Sequence, residues 1–395
     1  MDVYFVAFVS ALIGTLSATE FIRVLAIRLR AVDQPGGRRV HRRPTARLGG
    51  LGIYWGLCAA LGLATYGQAH WAAPLHSFDP GLLGMLGMLI GGGCLLIVGL
   101  LDDVHGMAAI TKLGCQAAAA LMLYAFGWRV ETVGLPLIGA WPVGALSLPL
   151  TVGWVVLVTN ALNLIDGLDG LACGVALAAS VAAAALLWHT QGPALLAAVA
   201  LAGALAGFLW FNLSPALIFM GDAGSLLVGF ALAAITLRAG QVASHQAFPL
   251  VPAVLLAVPL FDTFDAIRRR TVSAARVSSS ILNFLSEALR RVLSPDGLHV
   301  HHRLIRAGLS TRRAVALLWG AAASFALSGC MMGHDLGLGL LVLGAMAAGW
   351  SRGLLAVESR LRRPAARPPA VAPAPRRVVD GEPAAESLEA ERQAA

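Results

Sequence analysis

Two asparagines and two aspartates stand at the end of an apolar run in the stretch Asn160-Ala-Leu-Asn163-Leu-Ile-Asp166-Gly-Leu-Asp169-Gly170. A charged side chain in or near hydrocarbon is costly unless water, a counter-charge or a metal ion stabilises it. The pattern recurs, because Asp102 and Asp103 end a second apolar segment and Met220-Gly-Asp222-Ala-Gly-Ser225 interrupts a third. Acidic residues at such places indicate a catalytic or transport site and not a packing role.

The composition indicates a membrane protein. The 395 residues are 58% hydrophobic and only 13% charged, with a mean hydropathy of +0.75. No soluble core needs this much apolar surface, so we expect an all-α protein that crosses the bilayer many times. The net charge of +8 comes almost wholly from arginine, since Lys112 is the only lysine. The five cysteines lie in apolar segments without CxxC spacing, which is typical of small buried side chains and not of disulfides or a metal site.

Hydropathy predicts about eleven membrane-spanning segments of roughly 20 residues each. Their approximate limits are 3–27, 48–67, 81–101, 109–127, 148–165, 168–189, 192–212, 216–237, 247–262, 314–332 and 335–355. The first segment is too long, and has the wrong flanks, for a cleaved signal peptide. Residues 1–355 therefore form one multi-span domain, and the segment 356–395, rich in Arg, Pro, Ala and Glu, is expected to be a disordered tail.

Arginine placement predicts the orientation. Most arginines lie in the first loop and in the loop 263–313, whereas the loops on the opposite side hold little beyond Arg129 and Arg238. By the positive-inside rule the basic loops are cytoplasmic, so the N-terminus faces outward and the C-terminus is cytoplasmic. Counting spans alternately then places all four polar clusters on the cytoplasmic side. This favours one assembled site over a transporter, whose acids more often lie near the midplane of the bilayer.

The loop 263–313 carries two further features. Apolar residues at helical spacing predict an amphipathic helix that lies on the inner leaflet: Ile281, Leu282, Leu285, Leu289, Val292 and Leu293. The stretch His299-Val-His301-His302-Arg303 has no carboxylate or thiol at a familiar zinc spacing. Beside arginines these histidines suit an anionic phosphate, with a solvated polar loop as the alternative.

Each acidic motif has a chemical and a structural interpretation. Asp102 and Asp103 repel each other unless a cation intervenes, and Lys112 follows at a distance that brings its ammonium near them. The alternative is a solvated cap between two spans. The oxygen donors of residues 160–170 suit Mg²⁺, with a helix break capped by Asx turns as the alternative. Asp222 could equally cap a helix, and Arg47 lies in a basic loop that could serve topology alone.

Taken in order, six motifs resemble one family. They are Arg47-Leu-Gly-Gly50, Leu101-Asp-Asp103, the 160–170 stretch, Met220-Gly-Asp-Ala-Gly-Ser225, Pro259-Leu-Phe-Asp-Thr263 and His299-Val-His-His302. This set resembles the polyprenyl-phosphate N-acetylhexosamine-1-phosphate transferases, the MraY/WecA-type integral membrane enzymes, over about residues 1–350. The histidine motif is similar to that of the WecA/TagO branch. The stretch between Arg268 and Pro295 is longer than usual for the family, and the tail after Ser351 has no counterpart in it.

The resemblance implies a role for each matched residue. Asp102, Asp103 and Lys112 would be catalytic, the acids facing the lipid phosphate and the lysine the diphosphate. Mg²⁺, or Mn²⁺, would be held by Asn163 and Asp222. The substrate-binding residues would be Asp166 and Asp169 at the uracil, Arg47, and a group at the phosphates or sugar, namely His299, His301, His302 and Arg303.

The resemblance also implies a reaction. N-acetylglucosamine-1-phosphate would pass from UDP-GlcNAc to undecaprenyl phosphate in the bacterial inner membrane, with release of UMP, as the first membrane step of a cell-envelope polysaccharide. The partners would be the UDP-sugar, the lipid and the bilayer, with no nucleic acid and a homodimer as a possible assembly. The alternatives are another UDP-HexNAc or UDP-MurNAc-pentapeptide as donor and, in a different class, a proton-coupled transporter.

Overall fold

The computed structural model describes residues 3–28, 32–33, 45–71, 80–135, 139–242, 248–277, 280–292 and 298–362. The described residues form an all-α membrane architecture with two small antiparallel sheets. The helices are α1 (Val3–Arg28), α2 (Gly49–Trp71), α3 (Pro80–His105), α4 (Ala109–Ala125), α5 (Ser147–Ile165), α6 (Leu171–Leu187), α7 (Pro193–Asn212), α8 (Gly221–Val242), α9 (Leu250–Leu255), α10 (Ala257–Ala275), α11 (Ile281–Val292), α12 (Val300–Arg306), α13 (Thr311–His334) and α14 (Leu336–Arg362). The strands are β1 (Val32–Asp33), β2 (Thr45–Ala46), β3 (Thr132–Leu135) and β4 (Gly139–Pro142).

The helix lengths confirm a multi-pass membrane protein. Eight helical segments within the described ranges are long and apolar enough to cross a bilayer, and two shorter apolar segments, Gly49–Ala64 and Ala109–Ala125, accompany them. Helices satisfy every backbone hydrogen bond internally, which is why long apolar stretches adopt them in lipid. These ten segments correspond to predicted spans one to eight, ten and eleven.

The predicted ninth span, 247–262, is wrong as a single helix that ends at 262. The chain forms the short α9, breaks at Leu256, and continues as α10 to Ala275. Pro259 explains the break, because a proline has no N–H to donate to the carbonyl of Leu255, four residues earlier. Proline is tolerated in the first turn of a helix, so α10 starts just before it. As a result α10 carries part of the segment predicted as loop.

Two other predictions concern the C-terminal third of the chain. The predicted amphipathic helix is confirmed as α11, whose Ile281, Leu282, Leu285 and Leu289 side chains are exposed. The last helix, α14, continues to Arg362, past the expected boundary at 355. The tail beyond Arg362, Leu293, and residues 30 and 38–43 of the first loop lie outside the described residues.

Helix α8 is the centre of the bundle. Its apolar membrane-spanning stretch is 94% buried, and the helix packs against α2, α3, α5, α6 and α7. Small residues such as Gly224, Ser225 and Gly229 permit this, because membrane helices approach closely where side chains are short. The first turn of α8 contains Asp222, so the central helix starts at a carboxylate.

One end of the bundle collects the motifs. The segment 46–50 runs beside residues 218–220, with backbone hydrogen bonds from Gly49 N to Phe219 O (3.0 Å) and from Phe219 N to Ala46 O (2.9 Å). The loop between α5 and α6 lies at the same end, since Gly170 N donates to Asn212 Oδ1 at 3.1 Å. We call this end of the bundle, where residues 46–50, 166–170 and 218–220 lie, the motif end. The hairpin β3–β4 belongs to the opposite end, where Gly134 N donates to Phe248 O at 3.0 Å.

Candidate active site

Lys112 links two carboxylates that are far apart in sequence. Its ammonium donates to Asp102 and, at 2.5 Å, to Oδ2 of Asp222. Asp102 ends α3, Lys112 lies in the first turn of α4, and Asp222 starts α8. Asp102 also accepts a hydrogen bond from the backbone N–H of Met107 at 2.6 Å. The expected proximity of Lys112 to Asp102 is confirmed, and Asp222 is the second partner.

Asn163 completes this cluster. Its amide nitrogen donates to Oδ1 of Asp222 at 3.1 Å and to the hydroxyl of Ser225 at 2.8 Å. The two expected metal ligands are therefore in direct contact at the start of the central helix. Asn160, one turn earlier in α5, is instead paired with the buried side chain of Gln116.

Asp103 has different partners from its neighbour Asp102. Its two oxygens accept hydrogen bonds from the backbone N–H groups of Asp222 and Ala223, each at 3.3 Å. These are orphan donors at the start of α8, so Asp103 caps that helix from another helix. Gly99 allows the approach, because a Cβ there would lie 2.3 Å from Cα of Ala223. The expectation that Asp103 also faces the lipid phosphate stays a prediction.

Two substitutions of Asp103 distinguish a helix-capping role from a chemical role. We expect Asp103→Asn to keep one of the two cap bonds and most of the activity, because the amide oxygen still accepts one N–H whereas the NH₂ group cannot accept the other. Asp103→Ala should lower the free energy of unfolding by about 1–2 kcal/mol, since it leaves two backbone donors without their acceptor. Thermal unfolding followed by tryptophan fluorescence measures the stability of both variants, and UMP release measures their activity. Loss of activity in Asp103→Asn as deep as that of Asp222→Asn would show a chemical role instead.

Arg47 ties the first loop to the end of α3. Its guanidinium donates to Oδ1 of Asp33 at 2.6 Å and to the backbone carbonyl of Asp103 at 3.3 Å. The short β1–β2 pairing puts Asp33 opposite Thr45 and so places the acid beside Arg47. Sequence reasoning missed Asp33, although an acid in an arginine-rich first loop was a usable signal.

A cavity of about 820 Å³ opens at the motif end. Its wall contains Asp33, Arg47, Asp103, Asp166, Asp169 and Asp222, together with Arg23 of α1, Thr311 of α13 and the loop 214–219. Asp102, Lys112, Asn163 and the four residues His299, His301, His302 and Arg303 are not in this wall. Asp222 therefore lies between the cavity and the Lys112 cluster, and belongs to both.

The cavity concentrates negative charge. Burial raises the pKa of Asp166 to about 8, and the carboxylates of Asp222, Asp103 and Asp169 add to that effect. Acids so arranged favour a bound cation, because it relieves their mutual repulsion. Asp169 is partly used by the fold, since its Oδ2 accepts the N–H of Ala216 at 3.1 Å.

The buried Asn212 joins the two loops that form the cavity floor. Its oxygen accepts from Gly170 N at 3.1 Å, and its nitrogen donates to the carbonyl of Ile218 at 3.0 Å. Arg312 adds a hydrogen bond to the carbonyl of Ser214 at 3.2 Å. Asn212 was not among the expected site residues, because a single Asn at the end of an apolar helix is equally typical of an ordinary cap.

The histidine segment, residues 298–306, docks behind the cavity wall. His299 and His301 are buried, with ring centroids 5.9 Å apart and planes 6° from parallel. His302 lies 4.2 Å from His301, centroid to centroid. Arg303 donates to Oδ2 of Asp265 at 3.3 Å. A direct role of these four residues at the phosphates or sugar stays a prediction.

His301 contacts the loop 166–170 between α5 and α6. A Cβ on Gly167 would lie 2.3 Å from Nε2 of His301, and this nitrogen is buried without a hydrogen-bond partner in the part of the chain that the structure describes. Burial lowers the pKa of His301 to about 3, so the ring is neutral near pH 7. The contact is tight, and only glycine fits at position 167.

We therefore expect Gly167→Ala to lower activity by at least about 10-fold, because the new methyl group must displace His301 or the 166–170 loop. Gly153→Ala in α5 is the matched control, since a Cβ there meets nothing within 4 Å. Alanine also suits a helix better than glycine, so the control should be as stable as the parent. Steady-state UMP release measures both variants. Equal activities would show that the His301 contact is unimportant.

The donor set fits Mg²⁺. This ion prefers oxygen ligands, and takes one or two protein ligands together with substrate phosphates and water. Asp222 offers a carboxylate and Asn163 an amide in contact with it. No group of three or more His, Cys, Asp or Glu side chains within the described ranges is arranged to hold a metal ion alone. The residues thus suit an ion that a phosphorylated substrate helps to bind.

Comparisons with known proteins agree with this geometry. Residues 85–240, which contain the Lys112 cluster and the 166–170 loop, match the model of glycosyl transferase family 4. The chain is 33% identical over 332 residues to a probable undecaprenyl-phosphate N-acetylglucosaminyl 1-phosphate transferase of Bacillus subtilis, covering 83% of this chain and 84% of that protein.

Two further relatives extend the comparison. A decaprenyl-phosphate N-acetylglucosaminephosphotransferase of Mycolicibacterium smegmatis is 38% identical over 337 residues, 78% of this chain and 77% of the relative. An Escherichia coli undecaprenyl-phosphate alpha-N-acetylglucosaminyl 1-phosphate transferase is 29% identical over 324 residues, 79% of each chain. Since these matches cover most of both chains and the family motifs meet at one end of the bundle, the protein belongs to glycosyl transferase family 4 and is a multi-pass membrane member of it.

Proposed function

We propose that this protein transfers N-acetylglucosamine-1-phosphate from UDP-GlcNAc to undecaprenyl phosphate and releases UMP. The product is undecaprenyl-diphospho-GlcNAc. The names of the relatives support the donor and the class of acceptor. The observation that carries the proposal is the shared ammonium of Lys112, held between Asp102 and Asp222 and next to Asn163. A diphosphate substrate would meet cation and metal ligands together there.

The reaction is a phosphoryl substitution. An oxygen of the lipid phosphate attacks the β-phosphorus of the donor, the bond from that phosphorus to the bridging oxygen breaks, and UMP leaves with the electron pair. Asn163 and Asp222 would hold Mg²⁺, and the bound ion would neutralise charge on the diphosphate. Lys112 adds a preorganised positive charge at the same place, and such charges are worth most in sites that exclude water.

Asp102 is best explained as a residue that positions Lys112. The second pKa of a phosphate monoester is about 6, so the lipid nucleophile is largely dianionic near pH 7 and needs no strong base. The hydrogen bonds of Asp102 to Lys112 and to Met107 N orient the ammonium toward Asp222. A covalent aspartyl-phosphate is not required by this scheme.

The substrates fit a site at the membrane surface. The polyprenyl chain stays in lipid while its phosphate meets a soluble nucleotide sugar, so the motif end belongs at the cytoplasmic interface. Arg23, Arg47 and Arg312 lie at this end, as the positive-inside rule expects. We therefore place the protein in the bacterial inner membrane, with its N-terminus outside and its C-terminus in the cytoplasm.

The test is UMP release by purified protein given UDP-GlcNAc and undecaprenyl phosphate, first with Mg²⁺ or Mn²⁺ and then with EDTA. We expect metal-dependent UMP matched by an equal amount of lipid-linked GlcNAc. Parallel reactions with UDP-GalNAc, UDP-MurNAc-pentapeptide and decaprenyl phosphate measure donor and acceptor preference. Turnover with another donor only would overturn the assigned sugar.

Two other expectations have their own measurements. No turnover with any donor, in protein shown to be folded, would overturn the enzyme and favour the proton-coupled transporter, which flux in proteoliposomes would detect. The homodimer stays a prediction, and sedimentation of the purified protein in detergent measures its mass.

A further inference from the structure

The Pro259-Leu-Phe-Asp262-Thr263 motif has no part in the mechanism described above, yet its acid is buried. The Asp262 residue is 3% exposed, and it lies in the first half of α10. A carboxylate in such a place is costly unless hydrogen bonds satisfy it. Its partners therefore show why the chain keeps it.

Both oxygens of Asp262 bind the histidine segment. Oδ2 accepts from Nδ1 of His299 at 2.9 Å, and Oδ1 accepts from the backbone N–H of Val300 at 2.8 Å. His299 is 4% exposed, so both partners of the first bond are shielded from water. The second bond caps the first turn of α12, which starts at Val300. One carboxylate thus holds a ring and a helix start together.

We propose that Asp262 is a positioning residue for the transfer reaction: it sets the orientation of His299 and fixes the start of α12, and so places the histidine segment against the cavity wall. A carboxylate only accepts hydrogen bonds, so Nδ1 of His299 carries a hydrogen and Nε2 is the nitrogen left for other contacts. The kinetic part of this proposal rests on the proposed function, whereas the protonation of Nδ1 does not.

A second contact one turn away keeps the two helices in register. Asp265, three residues after Asp262 on α10, pairs with Arg303, four residues after His299. Spacings of three and four residues are one turn of a helix, so both contacts lie on facing sides of α10 and α12. Asp265 also pairs with Arg268 and Arg269 on its own helix. Asp262, by contrast, makes both of these hydrogen bonds to the histidine segment.

The position of His299 is passed on to the cavity. The ring of His301 stacks on that of His299, and its Nε2 edge meets Gly167 in the cavity wall. Rotation of His299 would remove the surface on which His301 rests. Because this segment is joined to α10 chiefly through side chains, loss of the Asp262 bond should disturb the 166–170 loop.

The kinetic test is a double-mutant cycle with Asp262→Asn and His299→Gln. The asparagine can still accept from Val300 N, but its NH₂ group faces Nδ1 of His299 and imposes the opposite tautomer. We expect Asp262→Asn to lower kcat for UMP release by about 10- to 100-fold, the usual cost of losing a partner that orients a functional histidine. In the His299→Gln background the same change should cost less than about 3-fold, because its effect is exerted through the ring.

The matched control is Asp335→Asn. Asp335 also accepts a helix-start N–H, that of Leu338 at 3.0 Å, but it is exposed and its carboxylate has no histidine partner among the described residues. It should keep full activity. Equal losses from Asp262→Asn in both backgrounds, or no loss in either, would overturn the proposal, since a purely structural acid would act independently of His299.

A second measurement uses the parent protein and no substrate. In protein labelled with ¹⁵N-histidine, we expect a protonated Nδ1 resonance that disappears in His299→Gln and so belongs to His299. An unprotonated Nδ1 at His299 would overturn the proposal even if Asp262→Asn failed to fold. A protonated Nδ1 in protein without transferase activity would instead overturn the proposed function and leave the Asp262–His299 pairing intact.

Discussion

Asp222→Asn is expected to lower kcat for UMP release by about 10²- to 10³-fold, the range that loss of one charge-stabilising group in an active site produces. The substitution keeps the size of the side chain, but removes the negative charge that receives Lys112 and would hold Mg²⁺ with Asn163. The start of α8 should survive, because Asp103 and not Asp222 caps it.

Three measurements on Asp222→Asn separate chemistry from folding. UMP release gives kcat, thermal unfolding gives stability, and the Mg²⁺ concentration for half-maximal rate should rise if any activity remains. Asp335→Asn, an exposed helix cap that is not among the motif residues, is the control and should match the parent. Activity of Asp222→Asn within 10-fold of the parent would contradict its place at the centre of the site.

Lys112→Met should lower kcat by about 10²- to 10³-fold, because it removes the positive charge that would stabilise the diphosphate. The methionine fills the space of the lysine stem but leaves Asp102 and Asp222 facing each other without their shared cation. The side chain of Lys112 is only 16% exposed, so water cannot substitute fully for the ammonium. We also expect reduced stability, because uncompensated carboxylates in a partly buried site repel each other.

Lys112→Arg tests the need for a compact cation. Arginine keeps the charge but presents it as a planar fork, which does not replace an ammonium that donates to two acids at once. We expect activity between those of the parent and Lys112→Met. The control is Arg129→Gln at the opposite end of the bundle, where Arg129 pairs with the exposed Glu131. Full activity in Lys112→Met would remove Lys112 from the reaction.

Much of the fold could be read from local pattern. Ten of the eleven predicted spans correspond to helices, and the apolar stripe at 281–293 predicted α11. Hydropathy missed the break between α9 and α10 because an average over about 20 residues does not register the missing N–H of Pro259. The same average ended the ninth span at 262, although α10 continues to Ala275 as an amphipathic helix with an exposed Arg268.

For the candidate site, the sequence predicted the residues but not their partners. The acids at the ends of apolar runs were visible as candidates, because a charge near hydrocarbon needs a reason to be there. Their partners were not visible. Asp102 and Asp103 are neighbours with the same flanks, yet one holds Lys112 and the other caps α8. Asp262 stood in a recognised motif without a role until the structure placed it against His299.

The amino-acid sequence thus determined that the chain is a multi-span helical protein, and that its polar motifs meet at one end of the helix bundle. Both properties depend on short-range rules, since each helix satisfies its own backbone and each loop faces the side set by counting spans. Only the tertiary structure decided which acid meets which cation. Lys112 and Asp222 are 110 residues apart, and Asp103 and the N–H of Asp222 are 119 residues apart. Such contacts depend on how α3 and α5 pack against α8 and how α4 packs against α3 and α5, and that packing follows from the shapes of many side chains together.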